Sequence, residues 1–210
     1  PEKSENLDKG SFFDLLKIRQ LWFILPLVLI HYAPVAGIRG LWIGPYINDN
    51  FYSASNLAFA TTAMSLAMIA GTFAYGPMDR VFSTRKWIIF IGSSVSLVSL
   101  ISLALFNEIS FNVAVFLFCT LGFFGMSYPL MIAHGRSFSP ENLTGRCVTL
   151  LNMFAIGGVG IFQFLTGRIF SKLTEVHNNN HEAYTIIFLF YASALSLGLI
   201  LYLKSKDRLD

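Results

Sequence analysis

The sequence predicts an all-α integral membrane protein with six transmembrane helices and both termini on the cytoplasmic side. Three observations carry that expectation. Only 13% of the 210 residues are charged while 54% are hydrophobic, and the mean hydropathy is +0.60, which leaves too little charge to clothe a water-soluble surface. Six apolar runs each reach the roughly 20 residues that a helix needs to cross ~30 Å of hydrocarbon. The cations alternate with those runs in the way that marks one face of a membrane.

Residues 1–20 are polar, lack the apolar core of a secretory signal and read as a flexible cytoplasmic lead-in. The first run, Leu21 to Ile38, is expected to continue through Arg39 and Trp42 to about Tyr46, as one long helix tilted or kinked by Pro26, Pro34 and Pro45. The second and third runs are Leu57 to Tyr75 and Trp87 to Phe106. The fourth is Phe111 to Ile132, where Tyr128-Pro129 supplies a kink. Val148 to Gly167 and Tyr184 to Leu203 complete a transmembrane unit over residues 21–204, followed by a cytoplasmic tail, 205–210. No run contains Asp or Glu, and the connections are short and rich in Asn, Ser, Pro and charge. The backbone is therefore satisfied within helices. A closed barrel would need alternating polarity, and none is present.

Lys3, Lys9, Lys17 and Arg19 precede the first run; Arg80, Arg85 and Lys86 follow the second; Arg136 and Arg146 follow the fourth; Lys204, Lys206 and Arg208 follow the sixth. Arg168 and Lys172 alone face the other way, and Arg39 lies in the first helix. That distribution accounts for a pI near 9.0 and leaves no basic footprint for a nucleic acid. Cys119 and Cys147 make no disulfide framework and read as small apolar residues. A chain that opens on Pro1 reads as a processed chain or a piece of a longer one.

Several residues stand out against this background. Between the second and third runs lies Gly76-Pro77-Met78-Asp79-Arg80-Val81-Phe82-Ser83-Thr84-Arg85-Lys86. Topology explains its cations, but not the Asp-Arg pair followed five residues on by Arg-Lys. In the first helix Arg39, Trp42 and Tyr46 fall at i, i+3 and i+7 on one face. An arginine at such depth costs several kcal/mol unless it meets water or a partner; the other reading is an interfacial arginine snorkelling to headgroups, with Trp42 and Tyr46 as aromatic belt. Asn152 and Gln163, eleven residues apart in the fifth run, share a line on the helix and either border a cavity or bond between helices. Tyr128 offers a hydroxyl to the same cavity. His31 is a candidate for proton relay, the alternative being a simple hydrogen bond to a neighbour. His177, His181 and Glu182 have metal-ligand spacing but sit in an Asn-rich loop, so no metal is expected. No nucleophile, base and orienting group occur together, and an enzyme is not expected.

Taken in order, the Gly76 to Lys86 loop, the Arg39-Gly40-Leu41-Trp42 string and the Gly145-Arg146 to Gln163 pattern resemble the second half of a major facilitator superfamily transporter of bacterial type. That family's signature loop runs roughly G-x-x-x-D-R-x-G-R-K after the second helix of each half; here the leading Gly sits one residue closer to Asp79 and the basic pair two residues further from it. The resemblance implies one six-helix half of a secondary transporter that moves a small, anionic solute by alternating access. Arg39 would attract the anion, Trp42 and Tyr46 would shape the pocket, and Tyr128, Asn152 and Gln163 would hydrogen-bond the solute. Asp79, Arg80, Arg85, Lys86 and Arg146 would form a cytoplasmic latch in which Asp79 docks near Gly145 and Arg146. Partners would be the solute, lipid of a bacterial inner membrane, and either a missing N-terminal half or a second six-helix chain; no cofactor is implied. The competing expectation is a six-helix scaffold, sensory or assembly subunit that transports nothing.

Overall fold

A computed structural model describes residues 11–106, 109–177 and 180–209. Among these residues all regular structure is helical. Part of the expected lead-in is packed: Ser11 and Asp14 cap a short helix, α1, Phe12–Leu15, and Leu15 is buried. Lys3, Lys9 and the rest of residues 1–10 lie outside the described residues.

Six helices are long and apolar enough to cross a membrane. The first span, Arg19–Phe51, is longer than hydropathy indicates and is not one helix. It comprises α2, Arg19–His31; α3, Ala33–Gly37; a π-helical turn, Ile38–Trp42; and α4, Ile43–Phe51. Pro26 is absorbed inside α2. Pro34 cannot donate to Ile30 and its ring crowds that carbonyl, which breaks the helix at Tyr32. Pro45 likewise returns no N–H to the turn before it, and there the helix widens into the π turn.

In the second span, α5, Ala54–Phe82, Ser53 accepts from the N–H of Asn56 at 3.5 Å, and the helix runs past Tyr75 through Pro77 and Arg80. The stretch that reads as a loop is therefore mostly helix, and the chain reverses only at residues 83–85, where Ser83 takes the left-handed conformation (φ 51°). α6, Lys86–Leu105, is the third span. The fourth is split into α7, Phe111–Gly125, and α8, Tyr128–Arg136, with Pro129 in the first turn of α8. α9, Thr144–His177, is ten residues longer than its apolar run at the far end, so Arg168 and Lys172 lie on a helix. α10, Asn180–Tyr202, already contains His181 and Glu182; residues 178 and 179 of the expected Asn-rich loop lie outside the described residues.

The first span is the core. Its most apolar stretch is 67% buried inside the bundle, against 17% for the second span and 28% for the fifth. α2 packs on α9 and α10, α5 on α7, and α6 on α7 and α10. The second and fifth spans consequently present broad apolar faces outward, with Leu66, Ile69 and Phe73 exposed on α5 and Ile156, Ile161 and Phe164 on α9. Such faces need lipid or a second helical bundle as their solvent.

Candidate solute-facing surface and the basic end of the bundle

Arg39 sits in the π turn with its side chain exposed, and its Nε donates to Ser65 Oγ at 3.1 Å. It takes part in no ion pair among the described residues. Gln163 lies against the next residue along, because a methyl built on Gly40 would stand 3.7 Å from the Gln163 Nε2. Arg39 is about four residues past the middle of the 33-residue first span, roughly 6 Å at 1.5 Å per residue. Ser65 and Gln163 are about three and five residues from the middles of their own spans, displaced toward the same end, so the three share a level within ~8 Å of the bundle's centre. An interfacial arginine would stand near the ~15 Å half-thickness of a bilayer core.

A second polar group lies about 16 Å nearer the basic end, eleven residues back along α9. There the rings of Tyr32 and Tyr128 stack at 5.3 Å, the Tyr128 hydroxyl donates to Asn152 Oδ1, and Asn152 Nδ2 donates to Val148 O at 2.9 Å. Tyr32 is the member that the sequence does not single out. Its place depends on the breaks in two different helices.

Trp42 and Tyr46 do not join Arg39. Trp42 is buried, donating from Nε1 to Thr166 Oγ1 at 3.2 Å and packing on Phe170 at 5.0 Å. Tyr46 is buried among Phe51, Phe118, Tyr184 and Phe188. The cause is the π turn, whose hydrogen bonds close from i to i+5. Residues spaced i, i+3 and i+7 across it no longer share a face. His31 is also buried away from the polar surface, with both ring nitrogens engaged by Ser93, Gly125 and Ser127.

At the basic end the Asp79 carboxylate pairs with Arg85 Nε at 2.9 Å, within its own hairpin, and does not dock at Gly145 and Arg146. The long α5 explains this correction, since it carries Asp79 to within one short turn of Arg85. Arg80 and Arg146 are exposed. Lys86 Nζ donates to the carbonyls of Leu203 and Ser205 at 2.7 and 2.6 Å. The tail adds a residue that the sequence conceals among cations: Asp207 accepts from Thr84 Oγ1 at 2.5 Å and from the backbone N–H groups of Arg85 and Lys86 at 3.2 and 3.0 Å. It thus caps the start of α6 from 120 residues away in sequence, roughly the full length of the intervening spans. His134 Nε2 donates to Lys206 O at 2.9 Å, Tyr202 donates to His134 Nδ1 at 2.8 Å, and Lys206 N–H donates to Gln20 Oε1 at 3.0 Å. The tail is stitched across this end.

Burial opposes the charge on Asp207, but its hydrogen bonds to Thr84, Lys86 and Arg85 outweigh that and hold the carboxyl below its usual range. A depressed folded-state pKa stabilises above the unfolded value, ~3.9, and the contribution fades as the pH falls through the lower folded value. Replacing Asp207 with Ala is expected to cost about 1 kcal/mol, as loss of a helix cap does. Deuterium uptake by residues 86–89 and 203–207 should rise at pH 7, and at pH 3 the difference from the unsubstituted chain should shrink.

The fold matches the solved inward-open xylose transporter XylE from E. coli with a TM-score of 0.71 and 18% identity, over 94% of this chain and 48% of that one. No family model and no curated protein matches the sequence. The chain spans about half the length of the solved transporter, and its fold is that of half of that structure. With six apolar spans, it is a multi-pass membrane protein.

Proposed function

We propose that this chain is one half of a secondary transporter that carries a small anionic solute by alternating access, its open face completed by a second six-helix bundle. The observation that carries the proposal is Arg39: an exposed guanidinium near the middle of an apolar bundle, hydrogen-bonded to Ser65 and without a carboxylate partner among the described residues. At that depth a lone cation is costly unless water or an anion meets it. A carboxylate or phosphate on the solute supplies the anion and Gln163 a hydrogen bond at the same level, while Tyr128 and Asn152, about 16 Å nearer the basic end, would meet the solute at a second point on its path. The solute would lie between the halves near the midplane, and the second bundle is either an N-terminal half or another six-helix chain in parallel orientation. The positive-inside bias supports a topology with the basic end and both termini on the cytoplasmic side, and the membrane of this proposal is a bacterial inner membrane. There the Asp79 to Arg85 pair and the tail network act as the latch, which opens when the two bundles tilt.

In proteoliposomes of the complete transporter, Arg39→Gln should weaken apparent affinity for an organic anion about tenfold or more, the equivalent of ~1.4 kcal/mol, and Ser65→Ala by less. Unchanged uptake and affinity in the Arg39 variant would rule out the anion site.

A further inference from the structure

The break in the fourth span leaves a specific backbone debt. α7 ends at Gly125 and α8 begins at Tyr128, with Pro129 in its first turn. In an unbroken helix the Gly125 carbonyl would accept from the N–H of residue 129, and proline has none. A buried carbonyl without a donor is costly in any apolar interior, and more so in a bilayer.

His31 supplies the donor from another helix. Its Nε2 is 3.1 Å from Gly125 O. A carbonyl only accepts, so this nitrogen carries the ring proton. The Ser127 hydroxyl, 2.9 Å away, shares the same nitrogen, and Nδ1 lies 3.0 Å from Ser93 Oγ on α6. All three side chains are buried: His31 is 2% exposed, Ser93 and Ser127 0%. One imidazole therefore joins the third span to the breaks in the first and the fourth. The approach is close, because a Cβ on residue 125 would collide with Val35, and only glycine leaves room.

The residues on either side of this junction are the two stacked tyrosines. Tyr32 follows His31 directly, and Tyr128 follows Ser127. We infer that His31 is a positioning residue: by giving the Gly125 carbonyl the N–H that Pro129 lacks, it fixes the break in the fourth span and sets where Tyr128 meets Tyr32, Asn152 and the solute. Its consequence for solute affinity rests on the transport function proposed above. The pinned break does not.

Three substitutions in the full protein test this. His31→Ala removes the donor, His31→Gln keeps an N–H near the Nε2 position, and Pro129→Ala returns the missing backbone N–H to α8. Deuterium uptake by residues 126–132 should rise about tenfold in His31→Ala, remain within about threefold of the starting protein in His31→Gln, and return to within about threefold when Pro129→Ala is added to His31→Ala. With a transported anion, KM should rise in His31→Ala while kcat changes less. A merely space-filling histidine would show no rescue by Pro129→Ala. Unchanged exchange in His31→Ala, or equal exchange with and without Pro129→Ala, would overturn the inference. If His31→Ala does not fold, His31→Phe, which keeps volume but no donor, takes its place in the same comparison. The expected exchange pattern without any change in KM would support the pin and count against the transport reading alone.

Discussion

Tyr46→Ala is expected to destabilise the bundle by roughly 3 kcal/mol, while Tyr46→Phe should leave it nearly unchanged. The ring is 4% exposed and meets Phe118, Tyr184 and Phe188 edge-on with centroids 5.5, 5.3 and 5.6 Å away, and Phe51 at 6.4 Å. Edge-to-face pairs of this kind add about 0.5–1.5 kcal/mol each beyond the area they bury. Truncation of a large core ring costs about 3–5 kcal/mol in water-soluble proteins. The lower figure applies here because lipid is as apolar as the core, so the transfer share of the loss is small and the lost dispersion contacts and cavity remain. Reversible unfolding of the purified protein in detergent, followed by circular dichroism, measures the difference. Intact stability in Tyr46→Ala together with weakened solute affinity would put this ring back on the open face, where its spacing from Arg39 alone had placed it.

That spacing shows which features were legible in the sequence and which were not. The six spans and their order follow from hydropathy, because a bilayer punishes polar side chains residue by residue. Arg39 was visible for the same reason, as a charge inside an apolar run. Helix ends were not visible in that way. Hydropathy reports depth in lipid, whereas the helix continues as long as its backbone bonds do, so α5 carries Asp79 and Arg80 beyond the apolar run that ends at Tyr75 and on to the left-handed Ser83. Trp42 and Tyr46 were misplaced because a helical wheel assumes a constant turn and the π turn at Ile38–Trp42 breaks the phase. Tyr32 and Asp207 were missed for a third reason: each acquires its role from a partner more than ninety residues away, Tyr128 and Thr84 respectively, and no local pattern announces such a meeting.

Gly158→Ala is expected to cost about 2–3 kcal/mol, although it adds a single methyl group to an otherwise suitable helix. Built at that position, the methyl would run into the backbone carbonyl of Leu29, whereas on the neighbouring Gly157 it meets nothing within 4 Å. Ala is a better helix former than Gly by about 1 kcal/mol, so Gly157→Ala should be neutral or mildly stabilising, which makes it the control for propensity. The carbonyl at Leu29 cannot swing aside as a side chain could, because α2 is held on its other flank by α10. Relief therefore requires α2 and α9 to part. The same line of contact between the first span and α9 carries the approach of Gln163 to Gly37 and Gly40 and, beyond it, the Trp42 to Thr166 hydrogen bond. Parting it moves Gln163 away from the level of Arg39, so solute affinity should fall along with stability, and the fluorescence of buried Trp42 should shift to the red. Equal behaviour of the Gly157 and Gly158 variants would mean that the two helices are not in backbone contact, and that Arg39 and Gln163 are not held at one level by this seam.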